Sequence, residues 1–138
     1  MIPGAAVIDA SVAIKWVIEE EGSLQALTLR QSRLFAPDIW CSECANVLWK
    51  SYQRQSLTLE EAVTAAALLE SADIEIISSR PLMERAVRMA VEIGHPVYDC
   101  VYVLAAIDLD MPLVTADERL QAKAANITPI IALKTLRP

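Results

Sequence analysis

Short apolar runs alternate with segments of helical periodicity along almost the whole chain, and this alternation constrains the fold more than any other feature. The first run, residues 5–9, has the composition of a buried strand and ends in a carboxylate. Strands that alternate with helices are typical of a parallel sheet covered by helices. The pattern therefore predicts an α/β fold with a central parallel sheet.

The same pattern gives expected boundaries for each element. We expect Asp38 to cap the third helix, and capping boxes at Thr58 to Glu61 and at Thr115 to Glu118. Strands are expected at residues 5–9, 74–77, 112–115 and 129–131. Helices are expected at residues 12–20, 23–33, 38–55, 58–71, 81–94, 98–108 and 115–125.

Length and composition predict one soluble domain spanning residues 1–138. The chain is 54% hydrophobic, which supplies a full core without disulfides or a structural metal. Its longest apolar run, residues 101–107, is far shorter than the roughly 20 residues of a membrane-spanning helix. The first residues lack the basic and apolar stretches of a secretion signal, so we expect a cytoplasmic protein and no membrane partner.

The net charge of −6 argues against a passive nucleic-acid-binding protein, because such proteins usually present a basic face. It is compatible with an enzyme that binds cations between its carboxylates and a phosphate, since the bound ions then determine the local field.

Four carboxylates carry the prediction of an active site: Asp9, Glu43, Asp99 and Asp117. Asp9 and Asp117 follow predicted strands, and the ligand crevice of a parallel sheet lies beyond the carboxyl ends of its strands. Each acid also has a local explanation. Asp9 is placed to cap a helix, Asp99 and Asp117 are favoured in first helical turns, and Glu43 has basic residues further along its own helix.

Carboxylate oxygens favour Mg²⁺ or Mn²⁺ over zinc. Two such ions, roughly 3.5–4 Å apart, activate water and stabilise the leaving oxygen of a phosphodiester. The sequence has no Gly-x-x-x-x-Gly-Lys motif, and its three glycines leave little room for a loop that cradles phosphate. The acids therefore predict metal-dependent phosphodiester hydrolysis.

The three cysteines, Cys41, Cys44 and Cys100, are expected to be free and buried in structural roles. A zinc site would need four ligands, and the chain offers no second cysteine pair and a single histidine, His95. The Cys41 and Cys44 pair also lies within a helical pattern, whereas a redox pair is expected to open a helix after a strand.

Four segments, in order along nearly the whole chain, resemble the signature segments of PIN-domain ribonucleases. The nearest resemblance is to the VapC type, the toxins of bacterial and archaeal toxin–antitoxin pairs. The segments are Val-Ile-Asp-Ala-Ser at residues 7–11, Ser-Glu-Cys-Ala-Asn at 42–46, Pro-Val-Tyr-Asp-Cys at 96–100 and Leu-Val-Thr-Ala-Asp at 113–117.

This resemblance implies a PIN-like three-layer α/β/α sandwich, Mg²⁺ or Mn²⁺ as cofactor and RNA as substrate. It also implies a homodimer and a small antitoxin protein that inserts a tail into the site. It assigns the catalytic and metal positions to four acids, and supporting polar positions to three further residues. The acids are Asp9, Glu43, Asp99 and Asp117, and the supporting residues are Ser11, Asn46 and Thr115.

Lys15, Lys50 and Arg54 are candidates for contacting RNA phosphates. Lys50 and Arg54 are i,i+4 neighbours on the helix that carries Glu43, so they are expected to flank the cleft, although an ordinary solvated face explains them equally. His95 is expected to be structural. The three tryptophans are expected to pack in the core or in a dimer interface.

Two other functions remain open at this stage. A phosphoryl-transfer protein also places an acid after its first strand, but receiver domains pair adjacent acids there and aspartyl phosphatases use Asp-x-Asp, whereas this chain has Asp9-Ala-Ser11. The second alternative is a non-catalytic binding module that kept a related α/β fold.

Overall fold

Five parallel strands form one sheet in a computed structural model of the protein, which describes residues 2–138. The spatial order of the strands is β3-β2-β1-β4-β5. They are β1 (Ala5–Ile8), β2 (Arg33–Pro37), β3 (Glu75–Ile77), β4 (Leu113–Thr115) and β5 (Ile130–Ala132). Helices flank this sheet, so the predicted α/β fold with a central parallel sheet is confirmed.

Seven α-helices connect the strands, and short 3₁₀ turns adjoin several of them. The helices are α1 (Ala10–Ala13), α2 (Ser23–Thr28), α3 (Ile39–Gln53), α4 (Leu59–Glu70), α5 (Met83–Ile93), α6 (Val97–Leu109) and α7 (Glu118–Ala124).

The centre of the sheet positions the site. β1 lies between β2 and β4, with Val7 opposite Phe35 and Ile8 opposite Val114. The chain moves from β1 to one side of the sheet and later returns to fill the other side, so the direction of winding changes between β1 and β4. In open parallel sheets such a reversal opens a crevice at the carboxyl ends of the strands.

The strand β2 was not expected, because residues 23–33 were predicted as one helix and residues 34–37 were assigned to no strand. That helix ends at Thr28, a 3₁₀ turn follows, and β2 pairs with both β1 and β3. Only three apolar residues form the core of β2, and they continue the apolar pattern of the preceding helix. Pro37 is tolerated in an interior strand because it is the last residue of β2.

The first helix is also shorter than predicted. α1 runs for one turn, a 3₁₀ turn continues it to Trp16, and residues 17–22 form the connection instead of extending the helix to residue 20. Gly22 has φ of 89°, and a Cβ there would lie 3.3 Å from Cδ of Lys15. The left-handed backbone therefore favours glycine at this turn.

Of the predicted helix caps, only one forms as expected. Thr58 and Glu61 make the capping box of α4. Asp38 occupies the cap position of α3, but its carboxylate accepts from the hydroxyl of Ser79 at 2.6 Å rather than from its own helix. The predicted box at Thr115 is wrong, because the cap of α7 lies two residues later.

The cysteines are free, but only two of them are buried. Cys44 and Cys100 are buried, whereas Cys41 is exposed. The pair Cys41 and Cys44 lies in the first turns of a helix that follows a strand, so position alone does not exclude redox chemistry. Burial raises the pKa of the Cys44 thiol, and a protonated thiol is a poor nucleophile, so a structural role still fits Cys44.

The three tryptophans differ in how exposed their side chains are. Trp40 is buried in the core, and Trp16 is half-buried and donates from Nε1 to the carbonyl of Ala26 at 2.7 Å. Trp49 is 55% exposed, so it does not pack in the core of this chain.

No single helix among residues 2–138 is long and apolar enough to cross a membrane. One bent pair, Arg80–Ile93 with Val97–Leu109, reaches that standard by length and composition only.

Candidate active site

Asp9 lies at the carboxyl end of the central strand and is only 5% exposed. Its Oδ1 accepts a hydrogen bond from the hydroxyl of Ser11 at 2.5 Å, and its Oδ2 accepts one from the hydroxyl of Thr115. Thr115 is the last residue of β4, the neighbouring strand. Ser11 is a local neighbour of Asp9, whereas the parallel pairing of β1 with β4 brings Thr115 to this buried carboxylate from 106 residues away.

Backbone groups hold these two hydroxyls in place. The N–H of Ala116 donates to Oγ of Ser11, and the N–H of Asp117 donates to Oγ1 of Thr115, both at 3.0 Å. Each hydroxyl therefore accepts a hydrogen bond from the backbone and donates a hydrogen bond to Asp9. The turn after β4 is in this way fastened to the start of α1.

The surroundings of Asp9 oppose its ionisation. Burial is the largest cause and raises its pKa to about 6, against the hydrogen bonds from Ser11 and Thr115, which lower it. The negative charges of Asp99 and Asp117 raise it further. A buried carboxylate in this condition is stabilised by a cation.

Glu43 lies in the second turn of α3, and its Oε1 accepts a hydrogen bond from the phenol of Tyr102 at 2.5 Å. Burial raises the pKa of Glu43, the Tyr102 hydrogen bond lowers it, and the charge of Asp99 raises it. No ion pair joins Glu43 to Lys50 or Arg54 in the described part of the chain, so the salt-bridge explanation for Glu43 is wrong.

Asp99 lies in the first turn of α6, and its Oδ2 is 2.6 Å from Nε2 of His95. The other ring nitrogen of His95 is buried and has no hydrogen-bond partner among residues 2–138. Because a buried N–H without an acceptor is costly, we assign the ring proton to Nε2, which donates to Asp99. His95 thus contacts a candidate site residue, which its expected structural role did not include.

Asp117 caps α7. Its Oδ1 accepts from the backbone N–H groups of Arg119 at 2.9 Å and Leu120 at 3.2 Å. Asp117 was expected in the first turn of this helix, and the structure places it one residue earlier, at the cap itself, while its charge also reaches Asp9.

The four acids form one electrostatic group whose one basic side-chain neighbour in the described chain is His95, at Asp99. The charge of Asp99 acts on both Asp9 and Glu43, and that of Asp117 acts on Asp9. No lysine or arginine within residues 2–138 pairs with any of the four. The same residues contain no group of three or more His, Cys, Asp or Glu side chains spaced to hold a metal ion. The acids share a region, but each is turned towards its own neutral donor.

A model of the PIN domain matches residues 6–126. The chain belongs to the PIN domain family. A relative named ribonuclease VapC3, from Pyrobaculum aerophilum, is 31% identical over 131 residues, which cover 89% of this chain and 98% of that protein.

Solved structures share the fold of this PIN domain. The protein PAE2754 from Pyrobaculum aerophilum superposes with a TM-score of 0.71 at 25% identity, covering 91% of this chain and 82% of that one. A toxin–antitoxin complex from Klebsiella pneumoniae gives 0.65 at 19% identity, covering 93% and 97%. VapC20 of Mycobacterium tuberculosis, described as a toxin that cleaves the sarcin–ricin loop, gives 0.66 at 17% identity, covering 85% and 93%.

The predicted supporting residues of this PIN domain differ in their surroundings. Ser11 and Thr115 both donate to Asp9. Asn46 is exposed and makes no side-chain hydrogen bond with another residue in the described range. Of the candidate basic residues, one is paired, since Nζ of Lys15 lies 2.9 Å from Glu20, while Lys50 and Arg54 are exposed.

Two residues of this PIN domain that contact the acids were not predicted to do so. Tyr102 and His95 each bond to one acid, Glu43 and Asp99 respectively. The sequence carried a weak signal for Tyr102, since it lies three residues after Asp99 in an otherwise apolar helix and so shares its face.

Proposed function

We propose that this PIN domain is an endoribonuclease that hydrolyses RNA phosphodiesters with Mg²⁺ or Mn²⁺, and that it is the toxin of a VapBC-type toxin–antitoxin pair. We further propose that residues 1–138 act as one domain in the cytoplasm. Support comes from the relative named as a ribonuclease and from structural neighbours described as toxins or toxin–antitoxin complexes.

The observation that carries the proposal is the buried carboxylate of Asp9 between β1 and β4. It is desolvated and lies within the field of two further acids. No lysine or arginine in the described chain compensates it. A carboxylate group that is costly without a cation at the crevice of a parallel sheet is the arrangement a metal-dependent hydrolase needs.

The donor set suits a hard divalent cation, because all four side chains offer carboxylate oxygens. Asp9, Glu43 and Asp99 would hold it, with Asp117 completing the site or ordering a water. Since no three of these groups are spaced as a closed metal cluster, water would supply part of the coordination, as is usual for Mg²⁺. When bound, the metal would activate a water and stabilise the leaving oxygen of the phosphodiester.

The chain's own residues fix the orientation of these acids. Ser11 and Thr115 hold both oxygens of Asp9, while Tyr102 holds one oxygen of Glu43 and leaves the other free. These donors are neutral hydroxyls, so they orient the carboxylates without cancelling their charge.

Exposed lysine and arginine side chains near the site would contact the phosphates of RNA. Lys50 and Arg54 lie seven and eleven residues after Glu43, which returns both to about the same side of α3. At about 1.5 Å per residue they are roughly 10 Å and 16 Å from Glu43 along the helix axis. Lys15 would first have to leave its ion pair with Glu20.

Two protein partners belong to this proposal, a small antitoxin and a second copy of the chain. Exposed apolar side chains are consistent with both. Met83, Val87 and Val91 recur every fourth residue along α5 and are 66%, 57% and 81% exposed. Such a stripe on one helix face is typical of a surface that another protein covers.

The alternatives fit less well. Receiver domains pair adjacent acids after the first strand and aspartyl phosphatases use Asp-x-Asp, whereas this chain has Asp9-Ala-Ser11 at that position. Membership of the PIN family also argues against it. A non-catalytic module on a related α/β fold would keep the acids and show no cleavage, and the following experiment distinguishes it.

The test is cleavage of a single-stranded RNA by the purified chain with Mn²⁺ or Mg²⁺, and with EDTA. We expect cleavage with metal and none with EDTA, and we expect Asp9→Asn to abolish it. Asp73→Asn is a matched control, because Asp73 is exposed and precedes the edge strand β3. It therefore lies near the amino end of that strand, whereas Asp9 lies at the carboxyl end of the central strand. Full cleavage in EDTA, or by Asp9→Asn, would contradict the metal mechanism. A folded protein inactive in every metal would support the binding module.

The toxin assignment has a separate test. The product of the neighbouring upstream reading frame should bind this chain and suppress its RNA cleavage. Binding without suppression would exclude a tail that blocks the site, and the absence of any binding neighbour would remove the toxin assignment while leaving the nuclease.

A further inference from the structure

Tyr102 is the one polar side chain on the buried part of α6. It is fully buried, within a run from Cys100 to Ala106 in which every residue is buried. A phenol so placed must find an acceptor, and its hydroxyl donates to Oε1 of Glu43 at 2.5 Å. The contact joins α6 to α3, two helices far apart in the sequence.

The character of this donor is as important as its position. The side chain is a phenol, which is protonated and uncharged at neutral pH even without any influence of its surroundings. It therefore donates one hydrogen bond and brings no positive charge. A lysine or arginine in its place would pair with Glu43 and compete with a cation.

The helix that carries Tyr102 also carries Asp99, three residues earlier and so on the same face. One rigid helix thus supplies an acid of the site and holds a second acid by a hydrogen bond.

We infer that Tyr102 is a positioning residue of the site, which holds Glu43 at a fixed place relative to Asp99 so that the two can share a divalent cation. The inference rests on the proposed function, since it assigns Glu43 and Asp99 to metal binding. Tyr102 acts through Glu43 and does not itself contact metal or RNA.

The principal experiment measures Mn²⁺ affinity by titration calorimetry on the full chain. Tyr102→Phe removes one oxygen atom and keeps the ring, and we expect it to weaken Mn²⁺ binding about tenfold to a hundredfold. RNA cleavage should fall in parallel and recover when Mn²⁺ is raised. Tyr52→Phe is the matched control, because Tyr52 lies on α3, the helix that carries Glu43. Tyr52 is 45% exposed and makes no side-chain hydrogen bond with another residue of the described chain. It should bind Mn²⁺ as the wild type does.

A double-mutant cycle tests whether Tyr102 acts through Glu43. Glu43→Ala should weaken Mn²⁺ binding, and adding Tyr102→Phe to it should produce no further loss. Equal losses from Tyr102→Phe in both backgrounds would overturn the inference, as would unchanged affinity in the single variant. A lower melting temperature with unchanged Mn²⁺ affinity would assign Tyr102 to folding alone.

A measurement on the wild type covers the case in which Tyr102→Phe does not fold. The chain has three tyrosines, so phenol carbons labelled with ¹³C give three resonances, and Tyr52→Phe and Tyr98→Phe assign two of them. The remaining resonance should shift with Mg²⁺ at the midpoint of Mg²⁺ binding, and an unmoved resonance in a chain that binds Mg²⁺ would overturn the inference. A wild type that neither binds metal nor cleaves RNA would overturn the proposed function together with it. A wild type that does both while Tyr102→Phe matches it would overturn this inference alone.

Discussion

At the scale of single residues, the burial of Asp9 carries a cost in the folded protein. Its pKa is raised from 3.8 to about 6, so the folded protein holds this proton more tightly than the unfolded chain does. Without metal, the contribution of Asp9 to stability must therefore decrease as the pH rises through the window from about 4 to 6. A shift of this size corresponds to a loss on the order of 3 kcal/mol at neutral pH.

We therefore expect Asp9→Asn to raise the melting temperature in EDTA at pH 7 and to change it much less at pH 4. Asparagine keeps one acceptor and adds a donor for the hydroxyls of Ser11 and Thr115, so the packing survives while the charge is lost. Thermal melts of both proteins at several pH values measure the difference, with Asp73→Asn as an exposed control. A difference that is the same at pH 4 and pH 7 would show that ionisation of Asp9 is not its cause.

Three of the candidate acids lie at positions that chain order makes visible, Asp9 and Asp117 after strands and Asp99 in a first helical turn, whereas Glu43 lies in the second turn of α3. The immediate partners of the acids were not predictable from the sequence. The bonds from Tyr102 to Glu43 and from Thr115 to Asp9 join residues 59 and 106 positions apart. Such contacts depend on how α6 and α3 pack and on which strands are neighbours, and a single sequence shows neither.

At the scale of elements, Asp117 has a structural role that can be separated from chemistry. It caps α7 through two backbone N–H groups. Asp117→Ala should therefore lower stability by about 0.5–2 kcal/mol, whereas Asp117→Asn, which is also a good cap, should leave it nearly unchanged.

If Asp117 also serves the site through its charge, Asp117→Asn should still reduce RNA cleavage. Urea unfolding in EDTA measures the first effect, and cleavage rates with saturating Mn²⁺ measure the second. An Asp117→Asn protein with wild-type stability and wild-type cleavage would restrict this acid to capping.

The elements that sequence reasoning missed have a common physical cause. β2 has only three apolar residues, Leu34 to Ala36, and they extend the periodicity of the helix before them. β2 is a strand because β1 and β3 pair with it on both sides, so its hydrogen bonds come from tertiary structure. In the same way, Thr115 looked like a local helix cap, but its hydroxyl is used by Asp9, a residue of another strand end. Tertiary contacts overrode local propensity in both cases.

At the scale of the whole molecule, the strand order explains why the acids share one region. β1 pairs with β4, so the first and the fourth strands along the chain end side by side, and α3 and α6 bring the other two acids to the region. The described elements form one sheet and its flanking helices. A single domain was predicted from the sequence. That prediction, the homodimer and the cytoplasmic location remain predictions.

Binding of metal should stabilise the entire fold, because the cost of gathering these acids is borne by the folded state alone. A ligand that binds only the folded protein adds about 2.7 kcal/mol when its concentration is a hundred times its Kd. For a chain of this size that gain corresponds to a rise in melting temperature of about 10 °C.

We expect Mn²⁺ to produce such a rise at pH 7, EDTA to reverse it, and the rise to be smaller at pH 5. At pH 5 protons compete with the metal for Asp9, whose pKa is about 6. Differential scanning fluorimetry measures the melting temperature. A control sample with NaCl at the same ionic strength separates metal binding from general charge screening. Asp9→Asn should lose most of the gain and Asp73→Asn should keep it. If Mn²⁺ leaves the melting temperature of the wild type unchanged, or raises that of Asp9→Asn by the same amount, these acids do not form a metal site.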